Sequence, residues 1–510
     1  MKAPDRFPLY PFLFAIHPVL FLCAANRRIV DLSSCIKPAV ILLVSTLVLL
    51  FVTAAILRNR TKSGLVVSVL LVFVFSYGHA VDLLQPLRMG FPAGKLIFPI
   101  WVMAMVVLTV LLIRTARSLE SVARFMAAAG ILLVAMTLVQ IAAPSVTRRA
   151  QSAGAWDKYV TNWCSRQKIP SAGARPDIYY IVLDAYTSKD VLAGEFRFDN
   201  SDFERNLRRK GFYVASESAC NYPRTTLSVP STLNLDYLDV LEHDSGVSGH
   251  TVAGLRTMFQ KPKLVEFLKR AGYATVMIRS GYSGYYLSDP DIVLSSSPLE
   301  TTEFDLMLFE TSIVRVVPGL RLRGWRQRCL GSLELLGRIP KTDRPKFVFA
   351  HLVVSHPPFC FDSDGNMPCP AVSEAQTARL GREKYAELYT GSIAYLNKRL
   401  ETLIDRILAE SKTPPVIVLQ ADHGAVCGFP TARSRIFSAY HLPDGAAGSL
   451  YPSITSVNTF RVVLNSCFHT RLPLLDDDVY QAREHGDRFS VERITPDTLH
   501  PPTVGRTPGI

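Results

Sequence analysis

At 510 residues the chain exceeds one ordinary domain and can bury at least two separate cores. Its 56 basic and 43 acidic residues give a formal charge of +13, spread along the chain without interleaved aromatics; this argues against a nucleic-acid-binding array and suits anionic lipid headgroups. The first 143 residues are apolar with charges in short clusters, whereas the remainder has the mixed texture of a soluble α/β protein, so one uniform fold is excluded.

Five apolar runs open the chain, at Leu9–Ala25, Ala39–Leu57, Gly64–Val81, Leu96–Ile113 and Phe125–Ala143. A hydrocarbon core needs about 20 apolar residues of helix to cross it. Five such runs without an amphipathic stripe predict a bundle of five transmembrane helices over residues 1–143. The first is the weakest, because His17-Pro18 interrupts it. The loops 58–62 and 114–124 carry basic but no balancing acidic charge apart from Glu120, which favours their retention on the cytoplasmic side. An odd number of spans then puts the large domain outside a bacterial-type cytoplasmic membrane, on the periplasmic or extracellular side.

Residues 144–176 carry turn formers, charge and little periodicity, and are expected to form a linker with some helix near Trp156. Beyond it, "DIYYIVLDAYTS" is a buried strand ending in polar residues, "DFERNLRRKGF" a helix stopping at Gly211, and "KPKLVEFLKRAGY" plus "ATVMIRS" a further helix and strand. "KFVFAHLVVSH" is another apolar strand, residues 374–411 a long helical region, and "PPVIVLQADHG" a last strand closing on acid and histidine. Helices alternating with continuous apolar strands predict a largely parallel sheet covered on both faces over residues 177–480. After Tyr480 the charged, proline-containing residues 481–510 are expected to be disordered. Cys360 and Cys369 bracket a polar loop; a disulfide in an oxidising compartment and free buried thiols are both open for them.

Ligands on open α/β sheets collect beyond the carboxyl ends of the strands. Asp184 closes one strand, His356 follows a second, and Asp422-His423 closes a third. Two carboxylates and an imidazole suit zinc or manganese. A hydroxyl from the helix opening "CNYPRTTLSVPS" (residues 220–231) would complete the ligand set and, bound to a cation, become a nucleophile at neutral pH. Each piece alone has a plain structural alternative: a helix cap for a strand-end Asp, a hydrogen-bonded pair for Asp-His.

In order, "YYIVLDAY", "TTLSVPS", "HLVVSHPPF" and "VIVLQADHG" resemble the alkaline phosphatase/sulfatase superfamily, and within it the membrane-anchored branch of lipoteichoic acid synthases and lipid A phosphoethanolamine transferases. The resemblance spans roughly residues 176–480 and implies an alkaline-phosphatase-like domain. It implies Asp184, Thr225, Asp422 and His423 as ligands of one divalent cation, manganese or zinc, with Thr225 as nucleophile and Thr226 as fallback. It implies His356 at the phosphoryl group, as catalytic and substrate-binding residue. His351, five residues earlier, is either a site member or a strand histidine bonded within the sheet. Arg224 and Arg279 are candidates to grip anionic oxygens, with solvated surface arginine as the simpler account.

Two departures from the family matter. The transferases usually carry Glu where Asp184 stands, and the later histidine of some relatives is missing, His441 being the nearest substitute. The formylglycine signature of sulfatases, Cys-x-Pro-x-Arg, also fails, since Pro223 lies three residues after Cys220 and Arg224 follows at once. The implied activity is therefore a metal-dependent phosphodiester hydrolase or transferase moving a headgroup from membrane lipid, or acting on envelope glycan, through phospho-threonine. Its rivals are a sulfuric ester hydrolase and a non-catalytic envelope binding or assembly protein.

Overall fold

The computed structural model describes residues 7–27, 30–84, 93–142, 145–169, 175–297, 299–368, 377, 380–426, 433–443 and 446–494. They divide into two compact units: residues 1–146 with 301–324, and residues 147–300 with 325–510.

The first unit is built on five apolar helices, α1 (Tyr10–Ala25), α2 (Leu32–Leu57), α3 (Arg60–Leu84), α4 (Ala93–Arg114) and α5 (Glu120–Ala142). Four of them are long and apolar enough to cross a membrane. The exception is α1, whose 16 residues rise only about 24 Å. It nevertheless packs against α2, α3 and α5, and its Ala15 and Val19 are fully buried. The weakest apolar run thus lies at the centre of the bundle, where protein rather than lipid surrounds it.

The α/β unit begins earlier than expected. Where the sequence suggested a linker, α6 (Ser145–Ser165) places Trp156, Val160 and Cys164 at i, i+4 and i+8 on one buried stripe. The Trp156 indole donates to the Lys261 carbonyl at 2.9 Å. These apolar residues are separated by Asp157, Lys158 and Thr161, which hid the helical period from a reading by composition.

A seven-stranded sheet follows, formed by β1 (Ile178–Leu183), β2 (Tyr213–Val214), β3 (Ala274–Ile278), β4 (Ile292–Leu294), β5 (Lys346–Leu352), β6 (Val416–Gln420) and β7 (Ser438–His441). Its order is β2-β7-β6-β1-β5-β3-β4. The strands from β6 to β4 run parallel, β7 alone runs against them, and β2 pairs antiparallel with β7, so the sheet is largely parallel as expected. Every residue of β1 is buried. Ile178, Tyr180 and Val182 enter a core with α6, α9 (Thr225–Asn234), α10 (Leu238–Ser245), α11 (Val252–Gln260), α12 (Lys263–Arg270) and α16 (Ser456–Phe468). Tyr179, Ile181 and Leu183 turn to the opposite face and are equally buried, so both faces are covered. The remaining helices are α7 (Lys189–Phe196), α8 (Ser201–Arg209), α13 (Glu303–Thr311), α14 (Pro318–Leu336) and α15 (Arg382–Glu410).

The expected disordered tail is also corrected. Residues 481–494 belong to a hairpin of β8 (Val479–His485) and β9 (Arg488–Ile494). Phe489 joins the main core, and Tyr480 stacks on Tyr222 with ring centroids 5.2 Å apart. All four prolines that gave the tail its disordered character stand after Ile494, outside the described residues. Cys369 also lies outside them, so the Cys360–Cys369 pairing is not described; Cys360 itself is buried.

Candidate active site

The three central strands β6, β1 and β5 lie side by side in parallel, so their carboxyl ends share one edge of the sheet. Asp184 follows the last residue of β1, His351 pairs with Val182 from within β5, and Asp422-His423 lies two residues beyond β6. Residues separated by more than 200 positions in the chain are thereby brought together.

His351 Nε2 stands 3.1 Å from Asp184 Oδ2, and His423 Nε2 stands 3.6 Å from Asp184 Oδ1 and 3.7 Å from Asp422 Oδ2. Two overlapping sets, Asp184-His356-His423 and Asp184-His351-Asp422, each hold their nitrogen and oxygen donors within 4.8 Å of one another. Thr225 opens α9, and its Oγ1 donates to Asp422 Oδ2 at 2.5 Å. The first N–H groups of that helix have no partner within the helix, so its positive end meets the same space.

The tautomers follow from the backbone. His423 Nδ1 lies 2.8 Å from the Gly424 carbonyl and His356 Nδ1 lies 2.6 Å from the Pro357 carbonyl. A carbonyl only accepts, so each Nδ1 carries a proton, and in the neutral rings Nε2 presents a lone pair. That is the way a metal-ligating histidine is usually oriented. At His423 the lone pair faces two carboxylates, while the buried Asp184 Oδ1 accepts no hydrogen bond. Converging electron pairs in a buried space are unfavourable without a cation among them, and mixed oxygen and nitrogen donors suit zinc or manganese. The residues therefore fit a divalent cation. Burial opposes ionisation of Asp184, but without a cation in the site His356, His351 and His423 in their protonated forms outweigh it and hold its carboxyl well below the usual range. Burial likewise opposes protonation of His351, and contact with Asp184 reverses this and raises its pKa.

The backbone here is constrained. Ala185 adopts φ +61°, a left-handed conformation uncommon for a residue with a side chain, and its N–H donates to Asp422 Oδ1 at 3.3 Å. Tyr389 of α15 spans the turn: its hydroxyl donates to the Ala185 carbonyl at 2.7 Å and accepts from the Thr187 N–H at 3.0 Å.

Asp184, Thr225, His356, Asp422 and His423 thus lie in one cluster, and His351 joins them. Arg224 caps α9 beside Thr225, but its guanidinium is 3.0 Å from Glu484 of the hairpin. Arg279 is exposed, with its guanidinium over the Tyr286 ring at 5.4 Å. His441 is excluded as a second ligand: it pairs with Ile417 near the start of β6, at the opposite edge of the sheet, and bonds the Pro415 carbonyl at 2.8 Å. Cys220 is fully buried, its thiol pushed up by burial and 3.6 Å from the Arg433 carbonyl, which makes it part of the packing.

Besides Tyr389, three residues went unrecognised in the sequence. The Tyr282 ring lies 6.3 Å from His351 and 6.4 Å from His356, and Tyr285 shares a hydrogen bond of 2.5 Å with Thr226. Both follow Gly281, at φ +103°, where an added Cβ would stand 2.6 Å from Arg328. Arg433 donates to the Pro223 carbonyl at 2.9 Å and so stands against the loop before Thr225. Only the glycine spacing in "SGYSGYY" hinted that a tight turn delivers aromatics there.

Fold and site together define a class: an α/β domain whose parallel sheet gathers a hydroxyl, two carboxylates and three imidazoles beyond its central strands, joined to a bundle of apolar helices. No protein-family model and no curated protein sequence matches the chain. Among solved structures it is similar to the integral membrane protein lipooligosaccharide phosphoethanolamine transferase A from Neisseria meningitidis, at 13% identity and a TM-score of 0.43, over 91% of this chain and 95% of that one. It is similar to the C-terminal periplasmic domain of EptC from Escherichia coli, at 12% identity and a TM-score of 0.43, over 66% of this chain and 96% of that one. The lipoteichoic acid synthase LtaP from Listeria monocytogenes matches at 11% identity and a TM-score of 0.37, over 61% of this chain and 77% of that one.

Proposed function

We propose that this chain is a membrane-anchored phosphotransferase of the alkaline phosphatase/sulfatase superfamily, moving a phospho-headgroup from a membrane lipid to an acceptor hydroxyl, with its α/β domain outside the cytoplasmic membrane. The observation that carries the proposal is the 2.5 Å bond from Thr225 Oγ1 to Asp422 Oδ2, made where the donors of Asp184, His356 and His423 converge. Asp184, Asp422 and His423, with Thr225, would hold one divalent cation, manganese or zinc, which when bound supplies positive charge that lowers the proton affinity of the hydroxyl.

The protein's own groups supply the remaining chemistry. Asp422 Oδ2 is placed to take the Thr225 proton as Oγ1 attacks phosphorus. The bond from phosphorus to the lipid alcohol breaks in line, and the departing alkoxide takes its proton from solvent water. His356 and the amino end of α9 face the charge that develops on the phosphoryl oxygens. A second hydroxyl then displaces Thr225 from phosphorus, and water in its place makes the reaction a hydrolysis.

The test is intact-mass and peptide mapping of the full-length chain after incubation with manganese or zinc and liposomes of phosphatidylethanolamine and phosphatidylglycerol. A phospho-adduct on the Thr225 peptide is expected, and Thr225→Ala should abolish it and lower metal-dependent phosphodiesterase activity on the order of 10⁴-fold. Full activity in Thr225→Ala would refute the assignment, and protein that binds neither metal would favour the non-catalytic alternative.

A further inference from the structure

Residues 301–324 interrupt the α/β unit, yet by their contacts they belong to the helical one. There α13 places Phe304 and Leu308 in a buried cluster with Val19 and Leu22 of α1 and Cys35 of α2. The segment is pinned by polar contacts as well: Asp305 pairs with Lys37, and Arg315 with Asp82 at 2.8 Å. Gly78 of α3 lies so close that an added Cβ would stand 2.2 Å from the Glu310 carbonyl oxygen.

All these contacts fall at one end of the bundle, the carboxyl ends of α1 and α3 and the amino end of α2. Gly78 stands six residues before the end of α3 at Leu84, about 9 Å along the axis. In a membrane-crossing helix that is the depth of the boundary between acyl chains and headgroups. The outward side of the same segment exposes Val316, Val317 and Leu320, at 39%, 50% and 59% of their full surface. Arg323 is exposed beside them, and from Thr311 to Leu333 the chain has no Asp or Glu. Aliphatic side chains flanked by unbalanced arginine are costly in water and favourable where acyl chains meet anionic headgroups.

We propose that residues 312–323 are an interfacial membrane segment, inserting Val316, Val317 and Leu320 into the leaflet at the end of the bundle from which α5 leads to the α/β unit. The proposal rests on the bundle being membrane-spanning and is independent of the chemistry at Thr225.

The test uses the unmodified full-length chain in liposomes of phosphatidylethanolamine and phosphatidylglycerol, doped with one phospholipid bearing a diazirine near the glycerol and a second bearing it near the acyl terminus, which reaches mid-span residues. After irradiation, lipid adducts are mapped by peptide mass spectrometry. Adducts are expected on residues 316–320 and on the exposed α5 residue Leu132, and not on Val240, an exposed apolar residue of the α/β unit. Adducts on Leu132 with none on 316–320 would overturn the interfacial segment while leaving the spans in place. Absence from both would overturn the spans and the segment together.

Discussion

At the scale of single residues, the site depends on groups whose chemistry is ordinary and whose placement is not. Tyr389 carries none of the proposed reaction, yet it clamps the left-handed turn at Ala185, whose N–H holds Asp422 and whose neighbour is Asp184. Tyr389→Phe should remove both hydrogen bonds of the hydroxyl, to the Ala185 carbonyl and from the Thr187 N–H, in a buried turn, costing about 1–3 kcal/mol of stability. It should lower kcat more than KM, because the distance from Thr225 to Asp422 then varies while the binding surface remains. Steady-state kinetics on a soluble phosphodiester, with a thermal melt alongside, checks this; unchanged kcat would show that the clamp does not position the pair. Asp184, His356 and Asp422-His423 were legible in the sequence because each closes or follows a strand, whereas Thr225 was singled out from the hydroxyls of residues 220–231 only by the family resemblance. His351 was equivocal because a histidine inside a strand is defined only by its neighbours across the sheet. Tyr282, Tyr285 and Tyr389 were illegible, since nothing local marks a tyrosine that will reach a loop distant in the chain.

At the scale of elements, the joint between α6 and α12 carries the most informative charge. Lys263, first residue of α12, is almost fully buried, with its ammonium 5.1 Å from the Trp163 ring, 5.5 Å from the Tyr159 ring and 3.6 Å from Asp236. Burial dominates over the attraction of Asp236 and lowers its pKa from 10.5 to about 8. The folded state then binds fewer protons than the unfolded state between about pH 8 and 10.5, so stability rises with pH across that window. The penalty relieved is on the order of 3 kcal/mol. Above pH 10 the buried tyrosines act in the opposite sense, since folding raises the pKa of Tyr180 and Tyr440 and their contribution is lost as the unfolded chain ionises. The thiols of Cys164, Cys220, Cys329 and Cys467, whose pKa folding raises, lose stability above about pH 9, so the contribution of Lys263 is read as a difference: by tryptophan fluorescence the wild-type unfolding midpoint should gain on that of Lys263→Met from pH 8 to 10. A variant with an undiminished slope would place the titration elsewhere. The hairpin and α6 share one lesson: each hides a regular apolar period, two or 3.6, among charged residues that a composition average reads as linker or tail.

At the scale of the whole molecule, the chain enters the α/β unit after residue 146, leaves it for residues 301–324 and returns at Trp325. The sequence-derived domain, residues 177–480, cuts across that arrangement. It discards Trp156, Val160 and Cys164 from the main core and Phe489 from its far side, and it keeps Phe304 and Leu308 without the helices that bury them. Expressed alone, residues 177–480 should lack a cooperative thermal transition by circular dichroism and be cleaved rapidly by proteases. A sharp melt matching that of the full-length protein would mean that α6 and β9 are not integral to the fold.

Hydropathy and strand ends are local properties, which is why the amino-acid sequence alone determined the apolar bundle, the largely parallel sheet and most of the cluster at its edge. Tertiary structure decided the rest: that the shortest apolar helix is the centre of the bundle, that a supposed linker and tail are parts of one core, that His351 joins the site and His441 does not, and that residues 301–324 side with the helices. Each of these depends on which surfaces find one another across hundreds of residues, and the free energy of that meeting belongs to the contact rather than to either segment by itself.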